Sequence, residues 1–264
     1  MKFWRDIFSL SQEDLAQYLE CSPRHVSRME NGHVHPSMAL VQKIAEVLSL
    51  GDRDSNQLLI SAGYASRPLS IDFYASELQW LRTAMRKTLG ALEPYPTVLL
   101  GNSVDILMVN KAWAALFQQL MSLEKLESYS TYYEFLYDIA VPGTQPENYK
   151  NMLSLILLSL HQRHIMYNEH EAKASLDKLT EHAQVPSDWK ARASRLEPRA
   201  SYPLQISVNG NLRNFLSVSQ TVGPIGPSAY VSEPRLVITT LHPMDEDFVL
   251  PELVDASPGY TKLY

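Results

Sequence analysis

The stretch Leu10–Ser37, LSQEDLAQYLECSPRHVSRMENGHVHPS, decides how this chain of 264 residues begins to fold. Ser11 stands where a hydroxyl can cap a helix, and Gln12, Glu13 and Asp14 fill a first turn whose positive dipole end favours acids. Leu15, Ala16 and Leu19 follow at helical spacing as the inward stripe. The pattern breaks at Glu20-Cys21-Ser22. Ser22-Pro23 then opens a second helix over about residues 23–30, because a proline at the first helical position gives up no needed amide. Val26 and Met29 are spaced to pack on Leu15 and Leu19, which leaves Pro23, Arg24, Ser27 and Arg28 facing outward. Cys21, the one cysteine, is expected to fill a small apolar place in the turn.

A short helix that presents its N-terminal half in this way fits a DNA major groove. Arginine suits guanine because its planar fork donates two bonds at once to O6 and N7, so Arg24 and Arg28, flanked by Pro23 and Ser27, form the expected base-reading set. Phosphate contacts are expected from Gln12, Asn31, Arg5 and His25. The formal net charge is -6, and residues 1–67 carry seven Lys and Arg against eight Asp and Glu, so attraction to DNA must come from placement rather than abundance. Weak binding per protomer predicts a homodimer on an imperfect palindrome, with half-sites about one helical turn apart.

Residues 4–50 resemble the lambda-repressor/Cro-like, or XRE-type, helix-turn-helix domain. SQEDLA, the S-x-R-H-x-S run from Ser22 to Ser27, Glu30-Asn31-Gly32 and Pro36-Ser37 carry the likeness, with Glu20 standing where such turns often place glycine. Met38, Leu40, Val41, Ile44, Ala45, Val47 and Leu48, then Leu58, Leu59, Ile60 and Ala62, predict two further helices that close an all-α core ending at Gly63. Ser66-Arg67-Pro68-Leu69-Ser70 reads as a linker, which places the first domain at residues 1–67 and a connecting, dimer-forming helix within residues 68–93.

Beyond Pro94 and Pro96 the period alternates between two and nearly four. Strands are predicted at residues 97–100 and 105–110, helices at about 111–121, 132–137, 147–163, 171–183 and 187–194, and strands at 204–208, 215–221 and 236–241. Gly101-Asn102-Ser103 and Asn209-Gly210-Asn211 read as hairpin turns. The order is similar to an α+β PAS-like fold, about five antiparallel strands with helices, over residues 94–245, followed by a tail over 246–264. Ala62-Gly63-Tyr64, Glu93-Pro94-Tyr95-Pro96 and Asn110-Lys111-Ala112 resemble the MmyB-like, or MltR-type, regulators. That resemblance implies a sequence-specific transcriptional regulator with a fatty acid as effector. Leu92, where relatives often carry histidine, and Arg28, where they often carry an aromatic, depart from the pattern.

Residues 152–160, MLSLILLSL, are apolar nearly all round, more than a helix lying on a sheet requires, and too few to span a membrane. Such a helix is either fully buried or has one side on the sheet and one on a lipid chain. Trp113, Phe117, Phe135, Leu136, Tyr137, Leu155, Ile156, Phe215 and Val218 are the expected cavity walls, and Arg163 or Arg213 the expected cation for a carboxylate head. No phosphate loop, dinucleotide fingerprint or nucleophile elbow is present, so no enzyme activity is expected. His161, His164, His170 and His182 lack a partner cysteine or an H-E-x-x-H frame, and no metal or cofactor beyond the lipid is expected. With one thiol, 45% hydrophobic residues, 20% charged residues and no signal or spanning pattern, the expected setting is the cytoplasm of a bacterial cell. The alternative to a ligand-holding second domain is one that only dimerises or binds a protein partner.

Overall fold

The computed structural model describes residues 1–65, 72–101, 103–139, 147–167, 170–197, 201–208, 210–222, 236–246, 248 and 250. The chain divides into two units, one over the N-terminal residues and one from Asp72 onward. The Ser66–Ser70 linker, the centres of both predicted hairpin turns and most of the tail lie outside the described residues.

The first unit is all helix: α1 (Lys2–Ile7), α2 (Gln12–Tyr18), α3 (Pro23–Glu30), α4 (Met38–Val47) and α5 (Asp52–Ser61). Hydroxyl caps set three of the starts. Ser11 accepts from the Asp14 amide and Asp14 answers in a capping box, Ser22 accepts from the His25 amide, and Ser37 accepts from the Leu40 amide. Glu20 sits at φ +55° in the turn between α2 and α3, the left-handed conformation for which glycine is better suited. Leu15, Ala16, Leu19, Val26, Met29, Val41, Ile44, Ala45, Leu48, Leu58 and Leu59 are buried in one core, with Cys21 half-buried against it.

A buried ion pair ties α1 to the end of α3. Arg5 Nε donates to Glu30 Oε1 at 2.8 Å, Arg5 also donates to the Leu10 carbonyl at 2.6 Å, and Gln12 Nε2 donates to Glu30 Oε2 at 2.8 Å. Burial alone would raise the Glu30 carboxyl; the hydrogen bonds from Arg5 and Gln12 outweigh it and hold the group below its ordinary value.

The second unit begins with a 3₁₀ turn, Ser76–Leu78, that runs into α6 (Gln79–Ala91). Then come β1 (Thr97–Leu100), β2 (Ile106–Val109), α7 (Lys111–Gln118), α8 (Leu123–Glu127), α9 (Tyr132–Asp138), α10 (Glu147–Tyr167), α11 (His170–Thr180), α12 (Trp189–Ala193), β3 (Ser201–Val208), β4 (Asn211–Val222) and β5 (Leu236–Pro243). The five strands form one antiparallel sheet in the order β2-β1-β5-β4-β3, the PAS-like arrangement expected. Because side chains alternate along a strand, the sheet has two distinct faces. One packs under the helical block, with Val98, Leu204, Ile206, Val208, Phe215 and Leu241 in its core; the other seats α6 through Leu99, Leu107, Leu236 and Ile238 against Leu81, Met85 and Leu89.

A carboxyl held below its unfolded value stabilises the fold above that value and ceases to do so as pH falls through the folded one. Glu30→Gln should therefore destabilise α2 and α3 by about 3 kcal/mol at neutral pH, since it leaves Arg5 buried beside a neutral partner. The difference from the wild type should shrink as pH drops through the ordinary glutamate range. Hydrogen exchange of the α2 and α3 amides reads this unit by itself; equal protection in both proteins at neutral pH would remove the pair from the stability argument.

Candidate functional site

On α3 the buried side chains are Val26 and Met29, while Pro23, Arg24 and Arg28 are exposed and Ser27 and His25 are half-buried. No ion pair is recorded for Arg24 or Arg28 among the described residues, so the outward face of α3 presents two guanidinium forks to solvent. Asn31 Nδ2 donates to the Ser27 carbonyl at 2.8 Å and approaches the Ser27 hydroxyl at 3.5 Å, fixing the end of the helix. One of the expected phosphate contacts is corrected: Arg5 is buried and donates to Glu30 and to the Leu10 carbonyl. Gln12 is half-buried, with its side-chain nitrogen donating to Glu30. The sequence could not show this, because the partner lies 25 positions from Arg5 and 18 from Gln12.

In the second unit a cavity of about 350 Å³ lies between α9, α10 and the sheet. Its walls are apolar: Leu100, Val104, Leu136, Met152, Leu155, Ile156, Leu158 and Val237. Its polar lining is Tyr132, Tyr133, Ser159, Gln162, Tyr202, Ser217, Ser219 and Thr239. It reaches solvent where Gln162 and Ser219 are exposed. Gly101 completes one end, and a Cβ there would fall 2.5 Å from Asp105 Oδ1, so a larger residue would require the Asp105 carboxylate to move. Val104 beside it stands at φ +64°, a costly conformation for a β-branched residue, held by its amide on the Gly101 carbonyl and its own carbonyl accepting from the Tyr132 amide.

Of the expected wall residues, Leu136, Leu155 and Ile156 line this cavity. The others are corrected. Trp113, Phe117 and Phe135 are fully buried against one another, with ring centroids 4.7 to 5.2 Å apart, and form solid core. Tyr137 is buried with its hydroxyl donating to the Leu153 carbonyl, and burial holds that hydroxyl well above its ordinary pKa. Phe215 packs against Phe248. Val218 falls between Ser217 and Ser219, which line the cavity, so strand alternation turns it to the opposite face.

Neither expected cation lines the cavity. Arg213 stands over the Phe248 ring at 5.0 Å. Arg163 is half-buried next to Gln162, and its charge is felt by Tyr133. Sequence reasoning missed the floor residues Ser217, Ser219 and Thr239. The available signal was the period-two run Phe215, Ser217, Ser219, in which an inward strand face changes from aromatic to small and hydroxylated. His182 Nε2 contacts Asp138 at 2.9 Å, and among the described residues no three His, Cys, Asp or Glu side chains gather where they could hold a metal ion.

These two features, an arginine-bearing recognition helix and a lined cavity under a PAS-like sheet, coincide with two family models. Residues 1–51 match the Helix-turn-helix family, and residues 81–247 match the MmyB-like transcription regulator ligand binding domain. The chain belongs to the MmyB-like transcription regulator family. It is a DNA-binding transcription regulator with a ligand-binding domain. No curated protein matches the chain. Among solved structures it is similar to the PAS domain from Bordetella pertussis BvgS, at 13% identity and a TM-score of 0.27, over 64% of this chain and 90% of that one. Among the described residues no helix of this regulator is long and apolar enough to cross a membrane.

Leu155 lines the cavity and is half-buried, so Leu155→Trp should fill space without disturbing the aromatic core. Uptake of an apolar fluorescent dye should fall at least about tenfold with little change in thermal midpoint, whereas Trp113→Ala should cost about 3 to 5 kcal/mol of stability. Undiminished dye uptake by the Leu155 variant would place the ligand elsewhere.

Proposed function

We propose that this regulator binds an operator as a homodimer through α3 and is controlled by an apolar acyl-chain ligand, the class to which fatty acids belong, held between α10 and the sheet. The observation that carries the reading is the cavity. At about 350 Å³ it lies at the small end of the roughly 300 to 1,000 Å³ typical of ligand sites. Eight aliphatic side chains wall it, which suits a single flexible chain. Each methylene moved from water into such walls contributes about 0.8 kcal/mol before the costs of binding.

Base readout is assigned to Arg24 and Arg28, with Pro23 and Ser27 shaping the approach. Phosphate contacts are assigned to His25 and Asn31. The unit carrying α3 holds no excess positive charge, with seven Lys and Arg against eight Asp and Glu over residues 1–67, so two copies on an imperfect palindrome supply the affinity that one lacks. The outward face of α6, with Trp80 57% exposed, is the assigned dimer contact. Ligand binding would then act by changing how the sheet seats α6, which requires unequal affinity for two arrangements of that helix.

Arg24→Ala with Arg28→Ala should abolish discrimination between operator and random DNA, a loss of about 1 to 3 kcal/mol for each bidentate contact, while the dimer persists in sedimentation. Retained sequence preference would sink the base-reading assignment. Mass spectrometry of an organic extract, quantified against protein, should return an acyl compound near one per protomer. Well-folded protein that yields none and takes up none on addition would favour a second domain that only dimerises or binds a protein partner.

A further inference from the structure

The floor of the cavity breaks its own pattern. On the helix-facing side of the sheet the neighbouring positions are Val98, Leu204, Phe215 and Leu241, all buried and apolar. Between them, Tyr202 pairs across to Ser217 and Ser219 pairs across to Thr239, which puts four hydroxyls on adjacent strands within one patch. Ser219 Oγ and Thr239 Oγ1 are 2.9 Å apart and share one hydrogen bond. Two hydroxyls carry two donors and four lone pairs between them, so the shared bond leaves one donor and several acceptor sites for a third group. Across the cavity the Tyr133 hydroxyl is hydrogen-bonded to Ser159, and burial keeps it protonated.

Charge is missing from this lining. Among the described residues that wall the cavity there is no Lys, Arg, His, Asp or Glu. The Asp105 carboxylate lies beside Gly101 at one end, and Arg163, whose charge reaches the lining residue Tyr133, is not itself part of the lining. An ionised carboxylate brought onto the hydroxyl patch would exchange part of its hydration for neutral hydroxyl donors, with no cation in the lining to compensate. An alcohol, ester or ketone oxygen asks for one donor and, for the alcohol, one acceptor, which is what the Ser219–Thr239 pair offers.

We propose that the hydroxyl patch of Tyr202, Ser217, Ser219 and Thr239 selects an acyl-chain ligand with an uncharged oxygen head, such as an alcohol or ester, over a free carboxylate. This rests on the acyl-chain reading of the cavity and specifies the head that the chain carries. The free fatty acid fits through its chain and not through its ionised head.

The test uses the full chain, delipidated and loaded with an environment-sensitive apolar dye, challenged with decanol, methyl decanoate, decanoic acid and decane. At about pH 8 decanol and methyl decanoate should displace the dye at least about tenfold more tightly than decanoic acid. The acid should then gain roughly tenfold per unit as pH is lowered, because only its neutral form enters. Ser219→Ala and Thr239→Val should weaken decanol by about three- to tenfold and leave decane unchanged, a split that a merely structural role would not produce. If decanoic acid is the tightest competitor and loses that advantage in Arg163→Gln, a cation at the rim holds a carboxylate; the neutral-head inference then falls and the acyl-chain reading stands. If none of the four displaces the dye, both fall.

Discussion

The second unit hangs on one buried side chain. Asn110 is fully buried, and its Oδ1 accepts from the Thr97 amide at 2.9 Å and the Trp113 amide at 3.0 Å while its Nδ2 donates to the Tyr95 carbonyl at 2.8 Å. Glu93 closes the same node, its carboxylate accepting from the Lys111 and Ala112 amides at the positive end of α7. A single amide and a single carboxylate thus register the exit of α6, the start of β1 and the start of α7. Replacing Asn110 would leave the buried Thr97 and Trp113 amides unpaired, at about 1 to 3 kcal/mol each, and replacing Glu93 would uncap the start of α7. The motifs Glu93-Pro94-Tyr95-Pro96 and Asn110-Lys111-Ala112, read at first only as a family likeness, are the two halves of this node.

The first unit is organised by the opposite problem, how a chain of net charge -6 reads an anion. Glu30 sits at the end of the recognition helix, where an exposed acid would oppose a phosphate. Arg5 and Gln12 enclose it, and its side chain is only 1% exposed. The Arg5 charge that would otherwise attract DNA is used to neutralise it. What remains outward on α3 is Arg24 and Arg28, so attraction is concentrated on the face where bases would be read, at the expense of general affinity.

Local features were legible in the sequence and long-range ones were not. Ser11, Ser22 and Ser37 announce their helices because a cap involves residues two or three positions away, and the strands of the sheet announce themselves as short runs rich in β-branched and apolar residues beside turn residues. α8 escaped notice because five residues carry too little period, though its Ser122 cap was there to be seen. Trp113, Phe117 and Phe135 were expected on the cavity wall, but these rings pack on each other and close the core, while aliphatic side chains and the tyrosines Tyr132, Tyr133 and Tyr202 bound the space. Val218 missed the cavity by one position, which on a strand means the other face.

The helix α10 and the sheet show how closely the cavity borders α6. Met152, Leu153, Ile156, Leu157 and Leu160 are buried, the helix packs against α11, α12 and β3, and Leu155, Leu158 and Ser159 turn to the cavity, so an all-round apolar sequence finds work on every side. Opposite it, β5 presents Val237 and Thr239 to the cavity and Leu236 and Ile238 to α6, within one run of four residues. β1 repeats the arrangement, with Leu100 on the cavity and Leu99 on the α6 side. A group that presses on the floor therefore presses on strands whose alternate side chains seat α6, with no intervening layer to absorb the shift. Packed interiors respond to such displacement by exchanging one arrangement for another, because they have little slack. A ligand that favours one seat of α6 by about 1 to 3 kcal/mol would change the population of the other by about five- to 150-fold, the ordinary scale of an allosteric coupling.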